Sequence, residues 1–133
     1  MATEERNLYV PDLKQRDIGT GETAAFVGWL DAKHRYEKGV VDEALYSRLF
    51  DVVRRSRRLF RGKHPCVFCS PNPFANITAE KGDERLTVGS GQALIRTSDG
   101  QAYFVPDMIC HYIAAHEYQP PQEFLDAIKA MEP

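Results

Sequence analysis

The chain has 133 residues and a mass of 15.1 kDa, room for one domain and hardly for two. Hydrophobic residues make up 43% and charged residues 27%, near the globular average, which excludes wholesale disorder and a fibrous repeat. The formal charge is −2, and no apolar run approaches the roughly 18–20 residues that cross a bilayer. The opening MATEERNLYVPDLKQRD is charged and has no apolar stretch of the signal-peptide kind, so a cytoplasmic domain without a membrane partner is expected.

In chain order, residues 23–30 (TAAFVGWL) are short, aromatic and bounded by glycines, and read as a strand. Residues 42–55 read as a helix. Val41, Leu45, Leu49, Val52 and Val53 recur on one face, and Asp42 is suited to the N-cap. Residues 54–63 (RRSRRLFRGK) then carry six positive charges and no negative one. Removing those six from the 17 basic residues leaves 11 against 19 acidic ones, so a basic segment sits on an acidic body. Cations at a helix C-terminus are stabilised by the macrodipole, which accounts for part of the run. Arg54, Arg55, Arg57, Arg58, Arg61 and Lys63 are also the residues that would contact an anion or a nucleic acid.

Residues 75–91 are poor in apolar side chains and read as a mobile loop with a short strand at 86–88. Residues 92–97 and 101–105 flank Asp99-Gly100, a hairpin signal. A helix is expected over 107–116, opened by Pro106 and Asp107, and a last one over 121–131 behind Pro120-Pro121. The order predicts an α+β fold: a small antiparallel sheet or hairpin with about three helices, and a finger-like knuckle–hairpin–helix unit in the C-terminal half. We expect a single domain, 1–133. Within it, residues 1–62 form an N-terminal strand and helix subregion and residues 63–133 a metal-binding one.

The chemistry lies in two short spacings. Cys66-Val67-Phe68-Cys69 is a C-x2-C pair in a proline-punctuated turn, and His111 and His116 form an H-x4-H pair on the predicted helix. Two thiolates and two imidazoles at these spacings make a Cys2His2 set for one structural zinc ion, although the 41 residues between Cys69 and His111 exceed the usual finger spacing. Positions five apart on a regular helix differ by about 140° in direction. His116 must therefore lie where the helix ends. His64 competes for a coordination place, Cys110 reads as a buried apolar residue, and His34 has no evident partner.

Four protein ligands leave no position for water, as in structural rather than catalytic zinc sites. No H-E-x-x-H, G-x-S-x-G or phosphate-binding loop is present. A non-catalytic, zinc-stabilised module that binds another protein is therefore the leading expectation, with Trp29, Tyr36, Phe60 and Phe68 as aromatic anchors. A nucleic-acid-binding protein using residues 54–63 is the alternative. A small zinc hydrolase with Glu117 as general base is the second alternative.

Several stretches also resemble a known family. They are Gly28-Trp29-Leu30-Asp31, Arg61-Gly62-Lys63-His64-Pro65-Cys66 with Cys69, and Gly91-Gln92-Ala93-Leu94-Ile95-Arg96. Further on, Tyr103, Val105-Pro106-Asp107, His111-Tyr112, His116 and Tyr118 with Pro120-Pro121 continue the likeness. Together they resemble small uncharacterised bacterial proteins of actinobacteria and myxobacteria, predicted to bind zinc. The resemblance implies zinc at Cys66, Cys69, His111 and His116, and implies no activity.

Overall fold

The computed structural model describes residues 9–19, 21–59, 66, 68–69, 77–97 and 100–131. These residues form an α+β fold with three helices and two sheets. The larger sheet has five strands: β1 (Lys14–Asp17), β2 (Thr23–Phe26), β3 (Arg57–Leu59), β6 (Gly91–Arg96) and β7 (Ala102–Pro106). Their order is β1-β2-β7-β6-β3. All neighbours are antiparallel except β2 and β7, which run parallel with Ala25 opposite Tyr103 and Phe26 opposite Phe104. The sheet is therefore mixed rather than purely antiparallel.

Strand alternation decides which side chains enter the core. Ala25, Ala93, Ile95, Tyr103 and Val105 face the main core, where they meet helix α1 (Glu43–Ser56) and the short helices α2 (Ile109–His116) and α3 (Gln122–Ala130). Phe26, Trp29 and Val10, with Phe104 packed against them, form a second, smaller cluster. Helix α1 starts where the sequence places it: the Asp42 side chain accepts hydrogen bonds from the Ala44 and Leu45 amides. Leu49, Phe50, Val52 and Val53 are its buried positions.

Several boundaries differ from expectation, each for a physical reason. Strand β2 ends at Phe26 rather than running to residue 30. Gly28 has φ +87, and a Cβ there would meet Ile109 at 3.0 Å, so the chain turns where only glycine fits. Helix α1 is followed at once by β3, because Arg57–Leu59 pairs with Gly91–Ala93 at the sheet edge. Residues 77–88, within the expected mobile loop, form a hairpin of β4 (Ile77–Lys81) and β5 (Glu84–Val88). Ala79, Leu86 and Val88 are buried beneath it, and Lys81 bonds Asp51 of α1 at 2.9 Å. Helix α2 begins at Ile109, not 107, because the Asp107 carboxylate is engaged elsewhere. It accepts from the Gly89 amide at 2.8 Å and pairs with Arg57 at 2.9 Å.

Candidate metal centre

Four side chains converge at the C-terminal end of α2. Cys66, Cys69, His111 and His116 each present one donor atom, and the four donors lie within 4.8 Å of one another. His111 Nε2 and His116 Nε2 both lie 3.2 Å from Cys69 Sγ, and His116 Nε2 lies 3.4 Å from Cys66 Sγ. A tetrahedral ion with Zn–S near 2.3 Å and Zn–N near 2.0 Å would hold neighbouring S and N about 3.5 Å apart. The donor set thus fits a four-coordinate ion with little adjustment.

Local sequence brings each donor to this point. Cys66 and Cys69 are closed into a turn by the Cys69 amide donating to the Cys66 carbonyl at 3.3 Å. The amides of Phe68 and Cys69 also reach the Cys66 sulfur, as N–H groups that stabilise a thiolate do. His111 is buried on the first turn of α2, and His116 is its last residue. The helix stops there because Glu117 takes the left-handed conformation, φ 58, and returns its amide to the Tyr112 carbonyl. That ending supplies the change of direction which a five-residue spacing requires.

The electrostatics suit a cation. Burial pulls His111 below the usual imidazole range, aided by His116, and burial followed by the Lys38 charge does the same to His116. Both rings are therefore neutral near pH 7, the state in which imidazole binds metal. Burial pushes the Cys66 thiol up to about 11, so a metal must displace its proton. Two thiolates and two neutral rings would cancel a divalent charge, which lets a half-buried centre avoid a net buried ion. Aromatic rings enclose it: Phe68 lies 5.2 Å from the His116 ring and packs edgewise on Tyr112.

The remaining expectations divide. Cys110 is fully buried, with its thiol pushed up to about 12 by burial, as expected of a core residue. His34, without an evident partner in the sequence, bonds Asp31 at 2.7 Å through Nδ1 and stacks on Tyr9 at 3.8 Å. Trp29 is buried against Phe26 and Phe104 and donates its indole N–H to the Phe104 carbonyl, so it is a core residue rather than an exposed anchor. Tyr36 and Phe68 remain half-buried beside the donor cluster. Glu117 is exposed at the helix end. His64, Phe60, Arg61 and Lys63 lie outside the described residues.

Among the described residues of the basic segment, Arg54, Arg55 and Arg57 are engaged within the chain. Arg57 pairs with the buried Asp107 and also donates to the Thr87 carbonyl. Arg54 faces Glu84 at 3.6 Å and Asp51 at 3.9 Å, and Arg55 donates to the Asp51 carbonyl. Arg58 is exposed on the edge strand. The sequence gives no sign of the Arg54–Glu84 and Arg57–Asp107 pairings, because those acidic partners lie on β5 and on the turn after β7; Asp51 is a near neighbour along α1.

No helix among the described residues is long and apolar enough to cross a membrane. Comparison with curated proteins and with solved structures finds no match. A family match does span the core strands, α1, α2, all but the last residue of α3 and the four donors, over residues 8–129. On that match the chain belongs to the family described as a domain of unknown function, DUF7919.

Proposed function

We propose that Cys66, Cys69, His111 and His116 hold one zinc ion in a closed, structural site, and that the protein is a non-catalytic, zinc-stabilised module that binds another protein in the cytoplasm. The observation that carries the zinc assignment is the convergence of two sulfur and two imidazole donors at near-tetrahedral spacing. A mixed sulfur–nitrogen tetrahedron selects zinc over harder cations such as magnesium or calcium, which take oxygen ligands. With all four positions filled by protein there is no place for an activated water, which favours a structural role.

Support for the binding role comes from the surroundings of the centre. A cleft of about 380 Å³ is walled by Tyr9, Asp12, Leu30, Arg35, Lys38 and by Tyr36, whose ring packs on Phe68 of the cysteine turn. Aromatic and arginine side chains together are the types that anchor protein partners. Nucleic-acid binding is the weaker reading, since Arg57 is tied to Asp107 and Arg54 faces two acidic residues.

Elemental analysis of the purified protein tests the zinc assignment. One zinc per chain is expected, retained in His64→Ala and lost in Cys66→Ser and His116→Ala. Loss in His64→Ala would replace one of the four ligands. Zinc-dependent hydrolysis of a generic substrate panel, abolished in a folded Cys66→Ser variant, would overturn the non-catalytic reading.

A further inference from the structure

The segment from Tyr36 to Gly39 lies some thirty residues before the first cysteine, yet it is fastened to the end of α2 where His116 sits. The Tyr36 hydroxyl donates to the His116 carbonyl at 3.0 Å. The Gly39 amide donates to the Glu117 carbonyl and the Gln119 amide to the Glu37 carbonyl, both at 2.9 Å, while Lys38 bridges Tyr118 in antiparallel fashion. The approach is close: a Cβ on Gly39 would lie 2.0 Å from the Gln119 side-chain oxygen. The Tyr36 ring meanwhile packs on Phe68, 5.4 Å between centroids, and on Tyr118 at 6.0 Å. One side chain therefore touches Phe68, one of the two residues between the cysteines, and the backbone of His116.

From this geometry we infer that Tyr36 is a positioning residue for the metal centre, fixing the separation of the cysteine turn and His116. The inference rests on the zinc reading above and deepens it. The chain leaves α2 through a left-handed residue, Glu117. A one-residue helix end of that kind leaves the backbone of His116 without the full ladder of helical hydrogen bonds. The Tyr36 hydroxyl satisfies the carbonyl this leaves open, and its ring sets how closely Phe68 can approach. Neither contact reaches the ion itself. Partners of this outer kind typically change metal affinity by about 10–100-fold when removed. A bond to the ligand's backbone rather than to its ring belongs at or below the lower end of that range.

Tyr36→Phe tests the inference, because it deletes the hydroxyl and keeps the ring. Zinc affinity, measured by competition with a chromogenic chelator, should fall by about five- to tenfold. Tyr36→Leu, which also removes the stacked ring, should weaken zinc further. Tyr46→Phe is the control: that hydroxyl likewise donates to a backbone carbonyl, of Glu80 at 3.0 Å, away from the donors, and its loss should leave zinc affinity unchanged. The discriminating measurement is a double-mutant cycle with His116→Ala, whose three remaining donors do not retain zinc through purification but bind added cobalt(II), read as cobalt(II) affinity by titration in excess. If Tyr36 acts through His116, the effect of Tyr36→Phe vanishes in the His116→Ala background. An equal effect in both backgrounds, or one matched by Tyr46→Phe, overturns the positioning role. Unchanged affinity in a zinc-loaded Tyr36→Phe protein overturns it while leaving the zinc reading intact. A wild-type protein that holds no zinc overturns both.

Discussion

Replacing Arg57 by leucine should destabilise the protein strongly and in a pH-dependent way, because it strands a buried carboxylate. Asp107 has a side chain only 1% exposed, and Arg57, itself 20% exposed, is its one ion-pair partner among the described residues. Breaking a buried pair from one side costs about 3–5 kcal/mol. Asp107 keeps the Gly89 amide at 2.8 Å, which places the loss near the lower end, about 3 kcal/mol at pH 7. For a domain of this size that corresponds to a fall in Tm of roughly 10 °C. Burial already raises the Asp107 carboxyl above the ordinary aspartate value of 3.8, against the lowering effects of the Gly89 amide and Arg57. An acid whose folded pKa is raised opposes folding only when ionised. The penalty is absent below pH 3.8, grows as pH rises through the folded pKa, and is constant above it. Without Arg57 that pKa moves further up, so the deficit relative to wild type should be largest at neutral pH and shrink on acidification. Urea unfolding of both proteins between pH 4 and 8 measures this. A loss below about 1 kcal/mol at pH 7, the size of a surface ion pair, or a deficit that grows in acid, would refute the assignment of Arg57 to the core.

Three further outcomes follow from the same structure. Chelation of the metal should loosen the cysteine turn and the end of α2 while the five-stranded sheet stays protected in hydrogen exchange, because Met108, Ile109 and Cys110 anchor the start of α2 in the main core. A cooperative loss of the whole circular dichroism signal on chelation would contradict this. Cys110→Ala should keep one zinc per chain and cost about 1 kcal/mol, the transfer and cavity terms of one small buried group, whereas Cys66→Ser should lose the zinc. Gly28→Ala should destabilise by about 1–2 kcal/mol, since it forces φ +87 on a residue with a Cβ that meets Ile109 at 3.0 Å; thermal melting checks it.

The packing limits how much of the fold a metal at this site would support. A metal worth about 10–16 kcal/mol to a small peptide can be the whole reason that peptide folds. Here β6 and β7, which lie in sequence between the cysteines and the histidines, belong to a sheet whose inner face is covered by α1 and α3. A metal held by the four donors would close one end of an apolar core instead of replacing it. The same packing explains why the C-x2-C to H-x4-H gap is long: it contains the β4–β5 hairpin as well as the β6–β7 pair.

Local physics made a good part of this protein legible. The cap at Asp42, the apolar face of α1, the closure of the β6–β7 hairpin between Thr97 and Gln101 (Asp99 itself lies outside the described residues) and the halt of α2 near His116 all follow from interactions within a few residues. So did the four donors, since thiol and imidazole pairs at short spacing have little other chemical use in combination. What the sequence left open depended on partners far along the chain. Strand β1, Lys-Gln-Arg-Asp, is exposed throughout and carries no alternation to read; it is a strand because β2 offers it an edge. Arg57 and Arg58 look like the tail of a basic run and become a strand because Ala93 and Gln92 stand opposite them. Composition and spacing therefore determined the size, the class and the donor set. Only the tertiary structure decided that Arg57 serves Asp107, that Trp29 serves the core, and that Tyr36 reaches His116 across eighty residues. Hydrogen bonds and ion pairs have no memory of separation along the chain, so their choice of partner exists only once the sheet has set the distances.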